Sequence, residues 1–420
     1  MSIRFTIIVP TRERSSALSS CLKNLLQQDY DNFEILVSDN FSQDHTYDLV
    51  TSFSSSLIRY INTGRRISMA HNWEFALQHV DSGWVLFIGD DDGLMQGALQ
   101  TLNYIINITE CEALTATSCD YWWPEHFLSK PDGELTIPLP VKNLYEIKQS
   151  AMMLDQVMRG KAAYRELPWL YHGGAASVNL LKKLYADNGR YFQSINPDIY
   201  SAVSLALSTR TYIQVNKPIA INGASKFSGG ASNMLDDRKN FESPASKFLA
   251  EDNIPFDPKL ILGKSLQLYV YECYLKAAHL YKIPSYNLTE QLKIALIVSP
   301  SSYFPDLLSE CKLMAVRNNI TIPKTLEIVI LRLIYKLSSF ALSIFKRPSI
   351  TISASKLGAW DIDLAAISAK NIYIFFEAII QNNSVFVRYF CFSFIFLISS
   401  IKYLKRIGDK LKNLSIQTLN

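Results

Sequence analysis

Over its first hundred residues the chain alternates short β-branched runs with amphipathic stretches, and few folds accommodate that rhythm. Arg4 to Val9 is apolar and ends at Pro10-Thr11, and Phe33 to Val37 ends at Ser38-Asp39-Asn40. Leu57 to Ile61 and Trp84 to Ile88 are two further runs. Between them, Ser15 to Gln28 places Leu18, Leu22, Leu25 and Leu26 at helical spacing, Asp44 to Phe53 reads as a helix, and Ser68 to Val80 turns Ala70, Trp73, Ala76 and Leu77 to one side. Gly97 to Ile108 completes the series. Repeated βα units predict a parallel sheet with helices on both faces, and ligands of such sheets gather at the C-terminal ends of the strands.

At one such end stand Asp90-Asp91-Asp92, after Trp84-Val85-Leu86-Phe87-Ile88 and Gly89. Three neighbouring carboxylates at the end of a buried strand repel one another and are costly without a cation. Hard divalent cations take oxygen ligands, and Mg²⁺ usually binds one or two carboxylates together with substrate phosphates. The run therefore predicts a metal and diphosphate site. A solvated acidic turn is the plain alternative, since Asp and Gly are ordinary turn residues.

The remaining chain is less regular. Leu114 to Thr117 and Tyr212 to Val215 predict strands, and Pro124 to Pro140, rich in Pro, Gly and charge, predicts a loop. Gly223 to Ser232 consists of small residues and suits either a lid or a linker. From Phe241 to about Asn319 the pattern is helical, as in Leu266 to Leu280 and Thr289 to Val298. Two apolar segments follow: Leu326 to Phe345, interrupted by Arg332 and Lys336, and Val385 to Ile401, containing Arg388. Both are short or charge-broken for a spanning helix, so they predict interfacial helices, with a buried subdomain or an oligomer contact as the alternative. Thr321 to Asn420 holds 13 Lys/Arg against 5 Asp/Glu, a net of +8, which leaves −4 for the first 320 residues. A basic apolar tail on a mildly acidic body predicts contact with an anionic membrane surface. The overall charge of +4 gives no reason to expect a nucleic-acid partner, and a hydrophobic share of 48% excludes a disordered chain. Six scattered cysteines without a CxxC pair predict reduced, buried thiols. Phe5 to Val9, stopped by Pro10, is too short for a secretory leader and suits a first strand. The divisions predicted are 1–240, a helical extension over 241–320, and the tail over 321–420.

Taken in order, Phe5 to Arg14, Leu25 to Tyr30, Phe33 to Asp44, Gly64 through Ala70-His71-Asn72-Trp73, and Phe87 to Asp92 form a succession that resembles the family 2 glycosyltransferases of the GT-A fold. The likeness is nearest to bacterial abequosyl- and rhamnosyltransferase-like members that build surface polysaccharide, and it covers roughly residues 4 to 230. The resemblance implies an α/β fold with a mixed, mostly parallel sheet flanked by helices and a mainly helical C-terminal region. It implies an inverting transferase using a nucleotide-sugar donor, Mg²⁺ or Mn²⁺, and a saccharide acceptor. With the basic apolar tail, that acceptor is expected to be lipid-linked, in O-antigen or capsule synthesis, and the enzyme to lie at the cytoplasmic face of the cell membrane.

In the family, the tips of the first two strands hold base and ribose. Here Pro10, Thr11, Arg12, Glu13, Asp39 and Asn40 take those places, with Asn40 where a second Asp is usual. An amide can donate and accept, so it suits a pyrimidine edge, and the choice among UDP, CDP and dTDP stays open. His71 stands where many members carry an Arg before Asn72, and both join the donor set. Asp90 and Asp91 face the diphosphate, and Asp90, Asp91 and Asp92 are the metal candidates, with Asp90 and Asp92 favoured as ligands and Asp91 competing. The family's catalytic base is an Asp at a helix start about a hundred residues further on. Ser194-Ile195-Asn196-Pro197-Asp198 fits, and Pro197 suits a first helical turn, whose dipole favours an ionised Asp198. Before it, Trp169, Tyr171 and His172 with Gly173-Gly174 combine aromatic faces with a flexible backbone and are the acceptor-binding candidates. A core role for Trp169 is the alternative.

Two other classes share parts of this pattern. A nucleotidyltransferase would need a Gly-rich basic loop after the first strand, and Pro10-Thr11-Arg12-Glu13-Arg14 has no glycine. A non-catalytic glycan-binding protein would need no base at Asp198. The sequence leaves the sugar, the linkage and the oligomeric state open.

Overall fold

In the computed structural model, residues 2–127, 129–186, 188–226, 228, 251, 254–283, 286–343 and 347–381 are described. Four strands form the parallel core: β1 (Phe5–Thr11), β2 (Phe33–Asp39), β3 (Ile58–Asn62) and β4 (Trp84–Phe87). β1 pairs in parallel with both β2 and β4, and β2 with β3. The intervening helices are α1 (Ser15–Leu26), α2 (Thr46–Ser52) and α3 (Met69–Leu77). Side chains of β1 alternate as the pleat requires. Phe5, Ile7 and Val9 face Leu18, Leu22 and Leu25 of α1, whereas Ile8 faces Leu36 and Trp73. Each leucine so buried contributes about 1.5–3 kcal/mol. α3 starts at Ser68, whose hydroxyl accepts from the backbone N–H of His71 and so supplies a missing helical partner.

Beyond β4 the sheet becomes mixed. A two-residue β5 (Gly93–Leu94) leads to α4 (Ala98–Thr109), β6 (Ala113–Trp122), β7 (Glu134–Pro138), β8 (Tyr145–Gln149), α5 (Ser150–Met158), β9 (Ala175–Ser177), α6 (Val178–Lys183), α7 (Pro197–Ser208) and β10 (Thr211–Ala224). β10 runs parallel to β6 and antiparallel to β5 and β8. β11 (Ser349–Ser353) then closes one edge, giving the order β11-β7-β6-β9-β4-β1-β2-β3. The expected mixed sheet flanked by helices, with a mainly helical C-terminal region, is present. Pro124 to Pro140, expected as a loop, contains β7 instead. β7 is hydrogen-bonded between β6 and β11, and the alternation Leu135-Thr136-Ile137 turns its two apolar members to the buried face, a fit that Gly133 and Pro138 conceal.

Four further helices follow: α8 (Leu266–Leu280), α9 (Leu288–Val298), α10 (Phe304–Arg317) and α11 (Thr325–Ser343). α8 and α9 pack with α5 and α7 over one face of the sheet in a single large apolar cluster. A further helix, α12 (Ile362–Gln381), lies elsewhere. Its Ile362, Ala365, Ala366 and Ala369 pack with Tyr121, Leu135 and Ile137. Residues 349–381 are thus part of the body, not a separate surface tail as expected for 321–420. Val385 to Ile401 and Phe241 to Ala250 lie outside the described residues. Cys21, Cys111, Cys119, Cys273 and Cys311 are all free thiols, and Cys391 lies outside.

Candidate active site

The register of the parallel strands brings their C-terminal residues side by side. Thr11 is opposite Asp39, and Asp39 opposite Asn62. One strand over, the Ile88 N–H donates to Ile8 O at 3.0 Å, and the chain then turns through Gly89. A side chain at Gly89 would meet the Tyr171 hydroxyl at 2.8 Å and Asp92 Oδ2 at 2.9 Å, so only glycine fits the turn.

Asp90, Asp91 and Asp92 are all buried, with different partners. Asp90 Oδ2 accepts from the Thr11 hydroxyl at 2.7 Å, and Oδ1 from the Arg14 guanidinium at 3.0 Å. Burial by itself lowers the Arg14 pKa, but Asp90 and Asp91 beside it raise it overall, so the guanidinium stays charged. Asp91 Oδ2 accepts from the hydroxyls of Ser225 and Ser228. Burial, and then the charges of Asp92 and Asp90, push the Asp91 carboxyl up to about 6. Asp92 is built into the fold. Its Oδ1 accepts from the Gly223 N–H at 2.7 Å, and its Oδ2 from the Gly89 N–H at 2.8 Å with His172 Nε2 3.2 Å away. Although burial raises its pKa, His172 and the two N–H donors outweigh that effect and hold it below the usual carboxylate range. The site therefore has two carboxylates, Asp90 and Asp91, over a third that braces the turn.

No preformed set of three or more His, Cys, Asp or Glu residues could hold a metal among the described residues. A cation bound by two carboxylates and completed by substrate phosphates needs no such set. Burial and the neighbouring charges of Asp92 and Asp90, which together hold Asp91 at about 6, are penalties on its ionised form that such a cation relieves. The residues present therefore fit a divalent cation at Asp90 and Asp91 better than at Asp90 and Asp92.

Asp198 lies in the first turn of α7, after Pro197, and its Oδ2 accepts from the Tyr164 hydroxyl at 3.1 Å. Residues 167–174 join it to the acidic turn. The Phe87 N–H donates to Leu170 O at 2.6 Å, and the Leu170 N–H donates to Ser201 Oγ at 3.2 Å. That hydroxyl in turn donates to the Asp198 carbonyl at 2.7 Å. Tyr171 sits between the two acids. Burial raises its phenol well above the ordinary value, and Asp92, Asp91 and, more weakly, Asp198 add to the rise.

The acceptor-binding expectation needs correction for two residues. Trp169 is 2% exposed, packed edge-on against Tyr164, Tyr171 and His172. His172 is buried, stacked on Tyr171 and tied to Asp92. Their faces are covered by protein, so they support the site from below. Tyr171 is partly exposed.

At the other strand tips, Asp39 Oδ2 accepts from the Tyr60 hydroxyl at 2.6 Å, and Oδ1 from the Ser42 N–H at 3.0 Å. Asn40 donates to Ile67 O at 2.7 Å and accepts from the Ile67 N–H at 2.9 Å, so its amide is engaged by backbone. Asn72 is buried against Ser38. Glu13 holds the N–H groups of Gln43 and Asp44 and pairs with Arg66; Arg12 pairs with Glu251; Pro10 is partly exposed. His71 Nδ1 pairs with Ser68 Oγ at 2.9 Å, and Nε2 with Arg190 at 2.8 Å. Next to it, a cavity of about 700 Å³ is lined by Arg65, Ile67, His71, Glu74, Arg190 and Lys276, among others. Sequence reasoning missed Arg14, Ser225 and Ser228. Arg14 lies within the same Pro-Thr-Arg-Glu-Arg run as the chosen residues, and the serines lie in the small-residue segment Gly223 to Ser232, whose composition suits a lid or a linker but names no individual residue.

Residues 6–113 match the family described as Glycosyl transferase family 2. The GalNAc(5)-diNAcBac-PP-undecaprenol beta-1,3-glucosyltransferase of Campylobacter jejuni is 32% identical over 102 residues, 24% of this chain and 33% of that protein. The UDP-Glc:alpha-D-GlcNAc-diphosphoundecaprenol beta-1,3-glucosyltransferase WfgD of Escherichia coli is 30% identical over 87 residues, 21% of this chain and 34% of that protein. The chain thus spans about a third of the length of the curated relatives it matches. Among solved structures, S. aureus TarS 1-349 in complex with UDP-GlcNAc aligns over 80% of this chain and 92% of its own, with 14% identity and a TM-score of 0.43.

Proposed function

From a chain whose residues 6–113 are of the glycosyl transferase family 2 type, we propose an inverting glycosyltransferase that moves a sugar from a nucleotide-diphosphate donor to a hydroxyl of a lipid-linked saccharide. The observation that carries this reading is the closeness of a buried acidic turn and Asp198, both of which act on the Tyr171 phenol, and which are joined through Leu170 and Ser201. The relatives named for undecaprenol-diphosphate-linked substrates support the acceptor class.

In this reading Asp198 takes the proton of the acceptor hydroxyl as that oxygen attacks the anomeric carbon from the face opposite the leaving group. Its carbonyl, held by Ser201, and its carboxylate, held by Tyr164, set its direction. Asp90 and Asp91 would hold Mg²⁺ or Mn²⁺, whose charge supplies Lewis-acid support to the departing diphosphate. Arg14 limits the repulsion between these two carboxylates, and Thr11 orients Asp90. The tips at Pro10 to Glu13 and Asp39 receive the nucleoside. The cationic lining of the cavity beside His71 suits a phosphate-bearing portion of either substrate.

The test combines binding and turnover. Thermal-shift measurements with UDP, GDP, CDP and dTDP should show stabilisation by one nucleotide that requires Mn²⁺. Asp198→Asn should keep that stabilisation while transfer falls at least about 10²-fold. Turnover unchanged in this variant removes Asp198 from the mechanism, and no metal-dependent shift with any nucleotide removes the donor assignment.

A further inference from the structure

α11 carries two apolar faces, and the fold uses one of them. The inner face is formed by Ile328, Arg332 and Tyr335, packed on α9 and the end of α5. Arg332 is the charge that breaks the apolar run in the sequence. In space it points inward, donating to the carbonyls of Leu296 and Ser299 and to Ser299 Oγ, with its guanidinium 4.3 Å from the Phe304 ring centre. It thereby satisfies carbonyls that the end of α9 leaves without helical partners.

The opposite face presents Leu326, Val329, Ile330, Leu333, Ile334 and Leu337, each between 47% and 72% exposed. At 100° per residue these six fall within an arc of about 140°, with no polar side chain inside it. Glu327 lies on one flank and Lys336 on the other. Their exposed apolar area is on the order of 600 Å², the upper end of what a monomer leaves to water. Among the described residues, no helix is long and apolar enough to cross a membrane.

We propose that this outer face of α11 lies in the interface of an anionic lipid surface and holds the protein there. The side chains are aliphatic, the flank carries Lys336, Lys324 precedes the helix, and residues 321–420 hold the net +8 that complements anionic headgroups. The location serves the chemistry, because α11 rests on α9, α9 on α8, and α8 on α7, the helix whose first turn holds Asp198. The inference rests on the lipid-linked acceptor proposed above.

The test uses the full chain and needs neither donor nor acceptor. In flotation assays the protein should rise with vesicles of phosphatidylcholine and phosphatidylglycerol, and at least tenfold less with phosphatidylcholine alone. The double variant Leu333→Glu, Leu337→Glu changes only exposed positions, and its metal-dependent nucleotide shift should match that of the parent. Its vesicle binding should fall at least tenfold. A parent that stays at the bottom of the gradient overturns the proposal, as does a variant that floats equally well. Light scattering that shows a parent dimer, dissociated by the two substitutions, with no vesicle binding, would assign the face to a second copy instead. Loss of docking with transfer to a water-soluble acceptor intact would leave the catalytic reading standing, and the reverse result would leave the docking standing.

Discussion

Asp91 and Asp92 are adjacent and chemically identical, yet the fold gives them opposite tasks. Asp92 accepts from two backbone N–H groups and lies beside His172, whereas Asp91 is met by two hydroxyls and by the repulsion of its neighbours. Their variants should therefore separate. Asp92→Ala strands the Gly89 and Gly223 N–H groups and should cost about 3 kcal/mol or more, read as a lower midpoint in urea. Asp91→Asn relieves like-charge crowding and keeps an acceptor for Ser225. Its melting temperature should hold or rise, while stabilisation by nucleotide with Mn²⁺ is lost. Equal losses of stability in both variants would refute the division. A string of three aspartates does not say which member the fold uses to brace the turn, because that depends on Gly223, more than a hundred residues away in the chain. For the same reason the amide of Asn40, chosen for a nucleotide base, is engaged by Ile67, and the ring of Trp169, chosen for a sugar, is enclosed by three other rings.

Helix α8 introduces a titration into the apolar layer. Glu272 is fully buried, accepts from Ser194 Oγ through one oxygen, and has no partner for the other. Burial, only partly offset by Ser194 and Lys276, pushes its carboxyl up from 4.5 to about 7. A raised carboxyl pKa means that the folded state binds the proton more tightly than the unfolded one. Its stabilising contribution is complete below pH 4.5 and declines as pH rises to about 7, by about 3 kcal/mol in all. Glu272→Gln should raise the melting temperature at pH 8 and leave it nearly unchanged at pH 4.5. A gain of equal size at both pH values would refute the titration. At this scale the elements up to Thr109 were legible except the two-residue β5, since each of the others shows its period locally. Helix α11 was legible as a helix, but its orientation was not. In a linear reading Arg332 interrupts an apolar segment, and only the packing against α9 shows that the interruption faces inward.

Over the whole molecule, the sheet depends on residues far apart in sequence. Arg347 donates to Leu139 O, to Thr117 Oγ1 at 3.1 Å and to Asn216 O at 2.7 Å, just before β11 pairs with β7. Arg347→Ala removes three hydrogen bonds and leaves partly buried carbonyls without a donor, a loss of about 2–4 kcal/mol. Limited proteolysis should then cut between residues 344 and 361 well before the parent is cut, and unchanged protection would show that β11 holds without the clasp. The N-terminal half of the sheet could be read from its βα periodicity, because parallel units are built from neighbours in the chain. In the mixed half only parts of β6 and β10 could, because β7 and β9 are short and find partners that no local pattern names.

The pairing of Thr136 with Thr351 spans 215 positions. While the polypeptide is being made, β7 leaves the ribosome long before its outer partner exists. A nascent chain of some three hundred residues would carry an unpaired strand edge, with the uncovered side chains of Tyr121 and Ile137 next to it, through about half of translation. Final closure of the sheet is therefore among the last events of biogenesis, and the interval before it is when a holding chaperone would matter most.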